Sequence, residues 1–239
     1  MTELCLYQTV HVARGRARNV AAHAALLDAA SRALFGRPYA PDPARLAARI
    51  EALAAAERYP AGVSGFVRLE LTPEGGERLL AAGISLYDGY ALRSLSPAAV
   101  TLRYDPLCPE APTSAREAAE LLAARLAALR GAAAAVRCDA EERLLTADGA
   151  PLFTVRGHTV YTAPAPASVE GCLVREAVRA AGLTLREEPL QRRELPRAEE
   201  LFYADHRGIT ALSRCDGQPL MTLVAERVAE ALEGLFPKK

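Results

Sequence analysis

Arg143-Leu144-Leu145-Thr146-Ala147-Asp148-Gly149-Ala150-Pro151-Leu152-Phe153-Thr154-Val155, RLLTADGAPLFTV, reads as a strand, a tight turn and a second strand. Short strands at 133–138 and 158–162 flank it, each set off by turn residues, so this part of the chain is expected to be sheet. Upstream, Thr113 or Ser114 is placed to cap a helix with Glu117 closing an [ST]-x-x-E box, and Gly131 stops it. Downstream, Val169 to Ala181 is amphipathic and ends at Gly182, and Leu183 to Arg186 reads as a strand. Two short strands surround the turn His206-Arg207-Gly208. A last helix over 220–235 is expected to bury Leu223, Val224, Val228 and Leu232.

The N-terminal part reads differently. Leu4 to Val12 alternates as a strand, Arg14-Gly15-Arg16 supplies a turn, and Val20 to Leu34 takes helical spacing before Gly36 and Pro38 end it. Asp42 before Pro43 caps a second helix that runs to Glu57. Gly65 to Thr72 puts Val67, Leu69 and Leu71 toward a core, which leaves Arg68 and Glu70 facing water or a cleft. Further strands are expected over 83–87 and 99–104. The rigid connection Asp105-Pro106, Pro109 and Pro112 then sets a boundary between residues 1–108 and 109–239.

Composition narrows the function. A 239-residue chain that is 51% hydrophobic can bury a sizeable core. Lys+Arg and Asp+Glu both count 29, so no global field draws in nucleic acid or an anionic membrane. No apolar run reaches the roughly 20 residues that span a bilayer. Five scattered cysteines without a CxxC pair, and no signal-like opening, suit a reducing cytoplasm, and no cluster has metal-ligand spacing. The only lysines are Lys238 and Lys239. Arginine, which replaces lysine everywhere else, cannot form a Schiff base.

The order of elements, with three local motifs, resembles the fold-type IV pyridoxal-phosphate enzymes: branched-chain and D-amino-acid aminotransferases and aminodeoxychorismate lyase. LYQTVHVARGRARNV followed by His23-Ala24-Ala25-Leu26-Leu27 is similar to the family's opening strand and H-x-x-R-L helix. DGAPLFTV with HTVYTAP is similar to its E-G-x-x-x-N-L-F strand pair, and AEELFYADHRGITALSRCDG to its D-E-V-F, G-I-x-P-V and D-G ending. The resemblance implies an α+β fold of two subdomains, an N-terminal α/β sandwich and a C-terminal β-barrel-like part with flanking helices. It also implies pyridoxal phosphate as cofactor, and dimers in which loops of one subunit close the site of the other.

The same resemblance implies that the family's functional residues are replaced. The Schiff-base lysine falls at Pro112, and the glutamate that holds the pyridine nitrogen protonated falls at Thr146. The phosphate-gripping arginine falls at Leu26. The phosphate cup reads Pro166-Ala167-Ser168-Val169, and a second phosphate hydroxyl falls near Ala204 or Asp205. The expectation is therefore no cofactor and no catalytic residue, in a non-catalytic binding or regulatory pseudoenzyme. The alternatives are an enzyme using non-covalent pyridoxal phosphate or other chemistry in the same cleft, and a structural partner of an active paralogue.

Arg68 matches a substrate-facing arginine that can bind a small carboxylate, and equally reads as a strand arginine paired with Glu70. His206, Thr210 and Ser168 are the other candidate cleft residues, with no nucleophile motif around either hydroxyl. His23 is expected to be a satisfied core histidine. The face bearing Arg116, Arg125 and Arg130 is expected to be solvated helix rather than a nucleic-acid site. A homodimer, or a dimer with a paralogue, is the expected assembly.

Overall fold

The computed structural model describes residues 4–59, 62–93, 95–164 and 168–236. Pro166, Ala167, Lys238 and Lys239 lie outside the described residues. The chain divides into two compact units, Met1–Gly89 with Cys108–Glu117, and Tyr90–Leu107 with Ala118–Lys239. The division differs from a single cut after residue 108. Cys108–Glu117 joins the first unit through the Tyr7 N–H, which donates to the Pro112 carbonyl (2.8 Å), and the Ser114 N–H, which donates to the Cys5 carbonyl (2.9 Å).

In the first unit, β1 (Leu6–Ala13), β2 (Arg16–Ala17), α1 (Val20–Phe35), α2 (Pro43–Ala56), β3 (Gly65–Leu71) and β4 (Glu77–Ile84) form an antiparallel sheet with two helices. The strand order is β2-β1-β3-β4. Directly paired residues share a face, and Leu6↔Leu71 and Val10↔Val67 turn toward Leu27, Leu46 and Ile50 of the helices. Asp42 caps α2 as its sequence foretells, accepting the Arg45 N–H at 2.8 Å. His23 lies in this layer, with its Nδ1 2.8 Å from Gln8 Oε1 on the same face of β1. β4 begins earlier than the strand read at 83–87, because the turn between Thr72 and Gly76 folds Glu77 back beside Leu71.

In the second unit, β5 (Ala98–Arg103), α3 (Ser114–Leu129, whose first four residues belong to the first unit), β6 (Ala134–Cys138), β7 (Leu144–Ala147), β8 (Ala150–Arg156), β9 (Thr159–Thr162), α4 (Val169–Ala180) and β10 (Thr184–Arg186) come first. A 3-10 turn (Arg192–Arg197), β11 (Glu200–Asp205), β12 (Gly208–Ala211), β13 (Arg214–Cys215), β14 (Gln218–Pro219) and α5 (Leu223–Gly234) complete it. The strands make one ten-stranded mixed sheet, ordered β10-β9-β8-β7-β6-β5-β13-β14, from which the β11–β12 hairpin branches off β8. β5 pairs in parallel with both β6 and β13, which is why the segment before residue 108 belongs here.

Asp148 and Gly149 are the two-residue turn between β7 and β8, with φ of 46° and 77°, the double positive φ that matches the right-handed twist of a hairpin. α4 and α5 pack Val174, Val178, Val228 and Leu232 against Phe153, Phe202 and Ile209 of the sheet.

α5 starts at Leu223 rather than 220. The buried Glu200 carboxylate accepts the N–H groups of Val224 (2.8 Å) and Ala225 (2.9 Å) and fixes the helix start from another element. Its inward face is Ala225, Val228, Ala229 and Leu232, and Leu223 is 69% exposed. Cys5, Cys138 and Cys215 are buried, Cys108 is half-buried and Cys172 is exposed. Among the described residues no helix is long and apolar enough to cross a membrane, and no cluster could hold a metal ion.

Candidate functional site

In the first unit the polar face of β3 carries Arg68. Its Nε donates to Glu70 Oε1 at 2.7 Å, and its two terminal nitrogens donate to Glu117 Oε1 (2.6 Å) and Oε2 (2.9 Å). The guanidinium also lies over the Tyr7 ring, 3.8 Å from its centroid. The Glu117 bonds first, and those of Glu70 after them, hold Arg68 charged far above the ordinary arginine range although burial pulls the other way. The bidentate edge that a ligand carboxylate would use is thus filled by the chain's own carboxylate. The paired reading of Arg68 is the one the geometry favours.

The Glu117 carboxylate of the expected capping box thus serves Arg68. Thr113 Oγ1 accepts the Arg116 N–H at 3.0 Å at the start of α3, while Ser114 Oγ accepts the Cys5 N–H at 3.1 Å.

In the second unit a polar cluster gathers around the β7–β8 turn and the β11–β12 hairpin. Asp148 Oδ1 accepts the Ala135 N–H (2.9 Å), and its Oδ2 accepts the Tyr203 hydroxyl (3.1 Å). Burial raises the Asp148 carboxyl above its ordinary range, against those two donors. Thr210 stands opposite Tyr203, is 1% exposed, and accepts from an Arg93 Nη at 3.2 Å.

His206 and Arg207 are the two-residue turn of the hairpin. Arg207 closes on Asp205 through its backbone N–H (2.8 Å) and its guanidinium. Burial works to raise Asp205, but the Arg207 hydrogen bonds and the neighbouring charges hold it below the usual carboxylate range. Burial lowers His206, with Asp205 opposing and the charges of Arg207 and Arg93 adding to the shift.

Two further residues stand at the start of α4. Ser168 Oγ accepts the Gly171 N–H at 3.1 Å, an ordinary helix cap. Glu170, the second residue of the helix, is buried, and that burial pushes its carboxyl up to about 8. Its own backbone N–H works against the shift, and the charge on Asp205 adds to it.

The positions named by the sequence comparison have these surroundings. Thr146 is buried on β7 opposite Arg137, whose guanidinium is engaged by Asp105 Oδ1 (2.8 Å) and the Tyr104 carbonyl (3.1 Å). Leu26 is half-buried on α1, Pro112 lends its carbonyl to β1, and Val169 is buried. Ser168, Asp205, His206 and Thr210 all belong to the second unit, and Arg68 to the first.

Sequence reading did not single out Asp148, Tyr203, Arg93, Arg207 or Glu170. The Asp-Gly pair signalled a turn but not the second use of its carboxylate, and Glu170 reads as the acid that commonly opens a helix.

The family model for Amino-transferase class IV matches residues 5–205, most of the chain. The protein belongs to the class IV aminotransferases. The fold is that of other class IV structures. A branched-chain aminotransferase from Thermoproteus uzoniensis with norvaline superposes with a TM-score of 0.81 at 17% identity, covering 96% of this chain and 84% of that one. A Mycobacterium tuberculosis protein described as a hypothetical aminotransferase, in its PLP-bound form, gives 0.79 at 21% identity, with 96% and 88% covered. A Legionella pneumophila protein described as a 4-amino-4-deoxychorismate lyase gives 0.80 at 14%, with 96% and 90% covered. No protein of curated function matches this class IV sequence.

Proposed function

We propose that this class IV aminotransferase homologue has lost the pyridoxal-phosphate site and acts as a non-catalytic binding or regulatory protein of the cytoplasm. The observation that carries the reading is the absence of lysine from the whole of the matched stretch, since the only lysines are Lys238 and Lys239. The cofactor would supply an electron sink through a Schiff base, and an arginine-rich chain offers no amine to form one.

The residues present do not fit the group in other respects. Thr146 has no charge to hold a pyridine nitrogen protonated, and Leu26 has none to pair with a phosphate. Glu170, buried in the first turn of α4, would oppose a phosphate there both by its bulk and by its charge when ionised. Arg68 is satisfied by Glu117 and Glu70, which weighs against a small carboxylate as its ligand. The proposed partner is therefore a protein, either a second copy of this chain or an active paralogue.

Titration with pyridoxal phosphate tests the reading. The purified chain is followed by absorbance in the aldimine region, then trapped with borohydride and analysed by mass. The expected result is no saturable spectral shift and no adduct except at Lys238 or Lys239. A saturable shift, or a trapped adduct that competes with a substrate amine, overturns it.

A further inference from the structure

We propose that the cavity between the end of α1 and the β3–β4 turn binds a free amino acid with an apolar side chain. The inference goes beyond the proposed function and does not depend on it, since no residue lining this cavity stands at a family cofactor position. The cavity measures about 270 Å³ and is lined entirely by the first unit. That is just under the roughly 300–1,000 Å³ of drug-sized sites, so it suits a smaller metabolite.

The chain's own bonds fix its shape. Gly36, in the left-handed region at φ 65°, ends α1 and turns the chain so that Arg37 and Tyr39 form one wall. Arg37 Nη1 donates to the Glu74 carbonyl at 3.1 Å and ties that wall to the β3–β4 turn. Tyr39 is held at both ends. Its backbone N–H donates to Asp28 Oδ1 (2.7 Å), and its hydroxyl donates to Glu77 Oε2 (2.6 Å). The Tyr39 ring, Pro38 and the buried Leu71 thus supply an apolar part that is set before any ligand arrives.

The polar part is unspent. Ser31 is 4% exposed and lines the cavity, yet its hydroxyl has no hydrogen-bond partner among the described residues. Glu74 meets Arg37 through its carbonyl and not through its carboxylate. A guanidinium and a carboxylate therefore line one cavity without pairing among the described residues.

That arrangement selects the class of ligand. A simple anion would be opposed by Glu74 and a simple cation by Arg37, whereas a zwitterion satisfies both. The ligand carboxylate takes the free N–H groups of Arg37, and the ammonium takes Glu74. The apolar side chain lies on the Tyr39 ring, and the Ser31 hydroxyl donates to a remaining carboxylate oxygen.

Calorimetric titration of the full chain with L-phenylalanine tests this, beside 3-phenylpropanoate, which lacks the ammonium, and 2-phenylethylamine, which lacks the carboxylate. L-phenylalanine is expected to bind at least about tenfold more tightly than either. Arg37→Gln is expected to weaken L-phenylalanine at least about tenfold and not to weaken 2-phenylethylamine. Glu74→Gln is expected to weaken L-phenylalanine and to tighten 3-phenylpropanoate, a reversal that a merely structural role would not produce. Circular dichroism confirms folding of each variant. Glu74→Gln keeps the carbonyl strap, so it keeps the test decisive if Arg37→Gln fails to fold. No saturable binding of L-phenylalanine up to about 10 mM overturns the proposal. So does saturable binding indifferent to both substitutions, which would place the amino acid elsewhere on the chain.

Discussion

Replacing Glu170 with glutamine should change how stability depends on pH. Burial pushes the folded carboxyl up to about 8 from an ordinary value of 4.5. A group raised on folding is harmless below its unfolded value. It costs stability progressively as pH rises from 4.5 to about 8, and the cost then levels off, because the unfolded chain releases a proton that the folded chain must keep or give up at a penalty.

At roughly 1–2 kcal/mol per unit, that linkage amounts to roughly 1–2 kcal/mol at pH 5.5 and roughly 4 kcal/mol at pH 8. Glutamine keeps the shape and does not titrate. The stability of Glu170→Gln minus that of the parent should therefore grow by roughly 3 kcal/mol between the two pH values, whatever constant offset the amide introduces. Urea unfolding followed by circular dichroism at pH 5.5 and 8 measures this directly. A gap that stays constant within about 1 kcal/mol, or narrows with pH, refutes the argument that the Glu170 carboxyl is withdrawn from solvent.

Three other substitutions probe named contacts. Gly149→Ala should destabilise by roughly 1–3 kcal/mol in thermal unfolding, because alanine is strained at φ 77° and its Cβ would lie 2.3 Å from the Glu120 carboxylate. Glu200→Ala should cost roughly 2–4 kcal/mol and expose the first turn of α5 to faster amide exchange, since two helix N–H groups lose their acceptor. Glu117→Ala should cost only about 1 kcal/mol, as the ion pair is partly solvated and Glu70 remains on Arg68. The same variant should free the Arg68 fork, read by weak quenching of Tyr7 fluorescence on adding acetate.

The elements legible in the sequence are those whose information is local. The hairpin at 143–155 needs only its alternation and Asp148-Gly149, and α2 only Asp42, Pro43 and the spacing of Leu46 and Ile50. β4 was hidden because Arg78, Leu80, Ala81 and Ala82 are exposed on an edge strand with no buried alternation to betray it, so only its pairing with β3 across the Thr72–Gly76 turn defines it. The start of α5 depends on Glu200, and the fate of Glu117 on Arg68, partners far away in sequence that no periodicity connects.

At the candidate site Leu26, Pro112, Thr146 and Ser168 were visible as residue types. The cluster of Asp148, Tyr203, Arg93 and Thr210 was not, because two strands, a hairpin turn and a loop bring it together. Burial likewise made Glu170 unusual, while its place in the first turn of a helix looked ordinary.

The unequal exposure of the five thiols has a practical use. Burial pushes Cys138 up to about 11 and Cys215 to about 12, so neither offers a thiolate at neutral pH. Cys5 is sealed as well, and Cys108 is only half open, which leaves Cys172 as the thiol that a maleimide reaches first. A fluorophore placed there without any engineering would ride on the same helical turn as Glu170, and would turn the start of α4 into an optical reporter of whatever this protein binds.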